Sequence, residues 1–199
     1  MSNYFIADLH FGHTNALSFD DRPFKTIEVH DLALINNWNN VVGINDDIWV
    51  LGDLSWHNPT RTIEILKSMN GKKHLLVGNH DAKLIRNREL QKEFIEICDY
   101  KELDVGNGKI CVLSHYPIPC FKNHYYGSYH LYGHVHNSFE WNIMKRVKYE
   151  MEGLYTVPCN MWNVGCMIDY MNYTPRTLEE IIKANETNQN NKGVNKCIK

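Results

Sequence analysis

No stretch of this chain approaches the ~20 consecutive apolar residues that a bilayer span requires, so a membrane-spanning helix is not expected. Its first residues, Met1-Ser2-Asn3-Tyr4-Phe5, lack a basic segment followed by an apolar core, so no secretory signal is expected either. None of the 6 cysteines falls in a CxxC pair. That argues against a disulfide framework and a cysteine-type zinc site, and favours reduced thiols in a cytoplasmic protein. An excess of charge is also missing. Lysine and arginine number 21 against 23 aspartates and glutamates, a net charge of −2. Binding nucleic acid by bulk charge is therefore disfavoured. The basic cluster Lys145-Arg146-Lys148 could touch a polyanion, but a solvated loop is the better reading. There is no internal repeat. From Asn185 to Lys199 the chain has almost no apolar residue, so residues 1–184 read as one domain and 185–199 as a disordered polar tail.

What is present is histidine, 11 in 199 residues, and its placement carries the information. Leu75-Leu76-Val77 reads as a buried strand that runs into Gly78-Asn79-His80-Asp81. The same pattern recurs along the chain. A strand over 3–7 ends in Asp8-Leu9-His10, and one over 48–51 ends in Gly52-Asp53. A strand over 109–113 runs to His115, and one over 129–132 ends in Gly133-His134-Val135-His136. Between the first three strands lie two helical patterns, 26–42 with Thr26 as N-cap and 59–69 with Pro59 in its first turn. Strand-helix alternation predicts parallel pairing in an α/β fold. Asn107-Gly108 between two strand-like runs predicts a type I′ hairpin. Helices are expected over 82–94 and 177–184, and strands over 154–157 and 161–164, with 137–153 unassigned.

In open α/β sheets, ligands bind outside the carboxyl ends of the strands. Five strand ends would bring two carboxylates, one amide and up to five imidazoles to one edge. Imidazole, carboxylate and carbonyl oxygen together suit manganese, iron, zinc, nickel or cobalt. Asp8, His10, Asp53, Asn79, His115, His134 and His136 exceed the needs of one ion. Two divalent ions about 3.5–4 Å apart, sharing a carboxylate, would use them.

These five blocks, in this order, resemble the signature of the calcineurin-like metallophosphoesterases, over residues 3 to about 183. Arg22-Pro23-Phe24, Asn70-Gly71-Lys72-Lys73 and His115-Tyr116-Pro117 resemble the small bacterial and phage phosphoesterases among them. The resemblance implies a four-layer αββα sandwich, with two mixed sheets flanked by helices. It implies one ion held by Asp8, His10, Asp53 and His136. Asp53 would bridge to a second ion completed by Asn79, His115 and His134, with manganese favoured. It implies hydrolysis of a small phosphoester, a phosphodiester or phosphomonoester and preferably a nucleotide, by a metal-bridging hydroxide. His80 would protonate the leaving oxygen, and Asp81 would orient His80 or serve as the acidic first residue of a helix. The alternatives are a metal-dependent nuclease and a catalytically silent metal-binding regulatory protein. The chain departs from the protein serine/threonine phosphatases of that family at two places. Leu54 follows Gly52-Asp53 where they carry an Asp-Arg soon after, and Val77 replaces their arginine before Gly78. Phosphoprotein phosphatase activity is therefore disfavoured. Substitute substrate-binding groups are His13, the preferred one, and Arg22, with His57 and Lys83 behind them.

Overall fold

The computed structural model describes residues 1–155 and 157–194, with side chains described to residue 186 apart from residue 155. Five strands form the first sheet: β1 (Asn3–Ile6), β2 (Asp47–Leu51), β3 (Lys72–Leu76), β4 (Glu96–Cys98) and β9 (Arg176–Thr177). Their order is β4-β3-β2-β1-β9, parallel except for β9, which runs antiparallel to β1. The parallel order follows from the helical crossovers α2 (Ile27–Val41) and α3 (Pro59–Ser68), since parallel neighbours need a long connection. Thr26 Oγ1 accepts the Val29 amide and Asn58 Oδ1 the Arg61 amide, so both helices start on side-chain caps.

The second sheet has the order β5-β6-β7-β8, from β5 (Tyr100–Asp104), β6 (Ile110–Ser114), β7 (Tyr129–Tyr132) and β8 (Met161–Asn163). β5 and β6 are antiparallel and the rest parallel. Their hairpin closes on Asn107 and Gly108 at φ 54° and 71°, with the Lys109 amide donating to Gly106, the expected type I′ turn. Alternation along these strands separates two cores. Cys111, Leu113, Leu131 and Trp162 join the main core with Phe5, Val50 and Leu75 of the first sheet and Leu34, Trp38, Ile65 and Leu66 of α2 and α3. Val112, Tyr132 and Met161 point the other way, into a smaller core closed by Met144, Val147 and Met151 of α5 (Phe139–Tyr155). The result is the expected αββα sandwich of two mixed sheets flanked by helices.

Several elements differ from expectation. The unassigned segment 137–153 and the expected strand beginning at Leu154 belong mostly to α5, because Met144, Val147 and Met151 recur at helical spacing against the second sheet; residue 156 lies outside the described residues. The helix expected over 82–94 is a 3₁₀ turn (Asp81–Arg86) followed by α4 (Arg88–Gln91). Asn87 Oδ1 takes the amides of Glu89 and Leu90 and restarts the helix there. A short α1 (Thr14–Phe19) was not anticipated. The closing α6 (Leu178–Val194) runs past residue 184 into the stretch expected to be a tail, while 195–199 lie outside the described residues. No helix among the described residues is long and apolar enough to cross a membrane.

Candidate metal centre

The parallel order β3-β2-β1 sets three loops side by side at the carboxyl edge: Gly78-Asn79-His80, Gly52-Asp53 and Asp8-Leu9-His10. β6 and β7 deliver His115, His134 and His136 from the second sheet. Ala7 pairs with Gly165 beyond the strand ends, which ties the two sheets together at this edge. Glycine is required where the loops press closest. A Cβ on Gly78 would lie 2.4 Å from the Asp53 amide nitrogen, and one on Gly52 2.3 Å from His115 Nδ1.

Asp8, His10, Asp53 and His136 each bring one ligand atom, and these atoms lie within 4.8 Å of one another. They form a group able to hold a metal ion. His10 Nε2 sits 3.7 Å from Asp53 Oδ2, buried and without a hydrogen-bond partner. A buried ring nitrogen left in that state needs an explanation, and a cation among carboxylates supplies one. Beside this group, Asp53 Oδ1 lies 3.7 Å from His115 Nε2. His115 Nε2 is 2.8 Å from Asn79 Oδ1, and His134 Nδ1 is 3.0 Å from the same oxygen. His115 Nδ1 lies 2.9 Å from the Leu51 carbonyl and must donate to it. In neutral His115 the Nε2 lone pair therefore faces the Asn79 oxygen, acceptor to acceptor, and a cation would relieve that pairing. The residues fit divalent metal at both places.

Electrostatics favour the neutral, ligand form of His10 and His134 but not of His136. Burial holds the His10 imidazole far below its ordinary pKa, helped by the Arg22 charge. Burial and the neighbouring His115 lower His134. Burial also pulls on His136, but the hydrogen bond to Asp20 and the charge of Asp8 outweigh it, and its pKa is raised.

All seven predicted ligands meet at this edge, and five of them adopt left-handed backbone: Asp8, His10, Asp53, His134 and His136 have φ of 54°, 53°, 54°, 69° and 47°. Non-glycine residues rarely sit there, and such positions cluster at functional sites. His80 is exposed at the rim, and its amide donates to Asp53 Oδ1 at 3.0 Å.

Two expected roles are corrected. Arg22 does not face a substrate. It is buried, donates to the carbonyls of Asp8 and Leu9 at 3.0 and 3.1 Å, and grips Asp20 Oδ2 at 2.8 Å. Five donors in a fixed fork suit it to satisfying the carbonyls of a left-handed turn. Of the two roles expected of Asp81, it is the acidic first residue of the 3₁₀ turn and does not orient the His80 ring. Its buried carboxylate accepts the amides of Asp53, Leu54 and Gly78 and pins the β2 and β3 loops together. Burial pushes its pKa up, opposed by those amides. His13 is at the site, its Nδ1 3.0 Å from His10 Nδ1. His57 instead bonds Asp31 at 2.8 Å.

Asp20 went unnoticed in the sequence because it lies outside any strand end. Its carboxylate accepts His136 Nδ1 at 2.9 Å, which leaves Nε2 free toward Asp8 Oδ1, 3.9 Å away. Removing a carboxylate that orients a ligating imidazole typically costs about 10–100-fold in metal affinity. Asp20→Asn should show that loss by competition with a fluorescent chelator. An unchanged dissociation constant would count against His136 as a ligand.

No family model matches the chain. It is 28% identical over 182 residues to an uncharacterised protein of Methanocaldococcus jannaschii, covering 90% of this chain and 89% of that one. It is 33% identical over 132 residues to the Gene 66 protein of Mycobacterium phage D29, 59% of this chain and 65% of the relative. Among solved structures, a protein of unknown function from Aquifex aeolicus superposes with a TM-score of 0.67 at 28% identity, over 92% of this chain and 98% of that one. The nuclease MPE of Pseudomonas putida gives 0.42 at 21% identity over 67% of this chain and 60% of that one, a partial likeness without functional weight.

Proposed function

We propose that the chain is a two-metal phosphoesterase of the calcineurin-like type, hydrolysing a small phosphodiester or phosphomonoester. The observation that carries the reading is the orphaned His10 Nε2 inside a group of carboxylates and imidazoles, beside a second group sharing Asp53. Asp8, His10, Asp53 and His136 would hold one divalent ion, and Asp53, Asn79, His115 and His134 the other, with manganese favoured. Bound there, divalent ions supply positive charge for phosphoryl oxygens and a nucleophilic water near neutral pH.

The protein groups do the rest. Asp20 and the Leu51 carbonyl fix the tautomers of His136 and His115. Arg22 and Asp81 hold the loops that carry Asp8 and Asp53. His80 gives its proton to the leaving oxygen as the bond from phosphorus to that oxygen breaks, while the water oxygen bonds to phosphorus. The test is hydrolysis of bis-p-nitrophenyl phosphate and p-nitrophenyl phosphate with Mn²⁺ and with chelator. Metal-loaded protein should turn over at least one of them and chelated protein neither. Equal rates in both conditions across a broad phosphoester panel would overturn the reading.

A further inference from the structure

Beside the metal centre, on the His80 side, lies a cleft of about 470 Å³. Its walls include Trp56, His57, Pro59, His80, Lys83 and Leu84. Volumes of roughly 300–1,000 Å³ are those of small-molecule sites. Nothing above uses this space, yet it opens onto the one residue assigned to the leaving oxygen.

Trp56 is the organising wall. Its amide donates to the Phe11 carbonyl at 2.7 Å, which fixes the residue against the loop after β1. The indole stacks on His13 at 4.0 Å and 5°, and on His10 at 4.5 Å and 17°. The two imidazoles lie 5.2 Å apart. Rings on opposite faces of one indole would be farther apart than that, so both cover the same face. The His80 ring lies 4.5 Å away at a 44° tilt. Trp56 is thus a half-buried flat plate, held by the metal-site imidazoles, that lines the cleft. His57 forms a rigid neighbouring wall through its bond to Asp31. Lys83, also on the lining, is exposed and makes no ion pair among the described residues.

We infer that this cleft seats the leaving alcohol and selects a nucleoside-like one, whose planar base stacks on Trp56. The inference rests on the phosphoester reading of the adjoining site. A flat apolar plate with one unpaired cation nearby suits the base and phosphate of a nucleotide better than an acyl chain or a polyol. A plate that is already fixed loses little entropy when a base is laid on it. In the reaction the bond from phosphorus to the nucleoside oxygen breaks, its electron pair stays on that oxygen, and His80 supplies the proton.

The experiment compares two diesters of thymidine 3′-phosphate with Mn²⁺. In one the leaving group is thymidine, as in thymidylyl-(3′→5′)-thymidine; in the other it is methanol. The ratio of kcat/KM between them should fall about 5- to 150-fold in Trp56→Ala, the usual range for one base stacked on one aromatic ring. Trp56→Phe should restore most of it. In parallel, the base protons of free thymidine should shift upfield on adding metal-free wild type and should not shift with Trp56→Ala. Chelator-sensitive hydrolysis of bis-p-nitrophenyl phosphate with an unchanged ratio would overturn the leaving-group assignment and leave the hydrolase standing. Upfield shifts without metal-dependent hydrolysis of any phosphoester would overturn the hydrolase, and the leaving-group role with it.

Discussion

Asp53→Asn should reduce phosphoester turnover to the level of chelated wild type and abolish stabilisation by Mn²⁺. Asp53 is buried between the two ligand groups, 3.7 Å from His10 Nε2 on one side and 3.7 Å from His115 Nε2 on the other. In the proposed centre it would serve both ions, so its charge should matter strongly. Wild type in Mn²⁺ at about 100 times the dissociation constant gains about 2.7 kcal/mol. For a chain of this length that corresponds to a rise in Tm of about 5–10 °C. The asparagine variant should show almost none of it. The amide keeps an oxygen for the His80 amide hydrogen bond, so the fold should survive. In chelator the variant should melt at or above wild type, because a buried carboxylate near Asp8 is costly without a cation. Undiminished Mn²⁺ stabilisation of Asp53→Asn would remove Asp53 from the site.

His80→Ala should behave in the opposite way, keeping the metal-induced rise in Tm while kcat falls about 10²–10⁴-fold, the span of a general acid. The imidazole is exposed, and it is the His80 backbone amide, retained in alanine, that anchors the loop to Asp53. The loss should depend on the leaving group. p-Nitrophenolate departs without a proton, so its ester should be affected least, and an alkyl ester most. Equal losses for both leaving groups, or a variant that no longer gains stability from Mn²⁺, would overturn the acid assignment.

These two residues also mark how far the sequence could be read. Ligand chemistry demands particular side chains, so the strand ends carrying Asp8, Asp53, Asn79 and His134 were visible without a structure. The type I′ turn at Asn107-Gly108 was visible because few residues accept positive φ. The supports of the site were not. Asp20 and Asp31 act through contacts with residues distant in the chain, Asp20 with His136 and Asp31 with Gly12 and His57, and nothing in local spacing marks them. Arg22 was noticed, but its role was misread. An arginine near a phosphate-handling site suggests a phosphate grip, whereas here its donors are consumed by the Asp8 and Leu9 carbonyls and Asp20. For Asp81 the helix-start alternative held, but its grip on the amides of Asp53 and Leu54 was invisible because those residues are distant in the chain. α5 was obscured by the aromatic and charged residues on its outer face, Phe139, Tyr149 and Lys145 among them.

The left-handed backbone at Asp8, His10, Asp53, His134 and His136 sets selection for folding against selection for chemistry. Each of these turns would relax with glycine, and asparagine tolerates them better than histidine does. A lineage that no longer needed the reaction could gain stability by discarding its ligands one at a time, keeping both sheets and both cores intact. Descendants of such a lineage would keep the architecture and lose the imidazoles. Retention of these five histidines and aspartates in that conformation is what continued use of the proposed chemistry would select for.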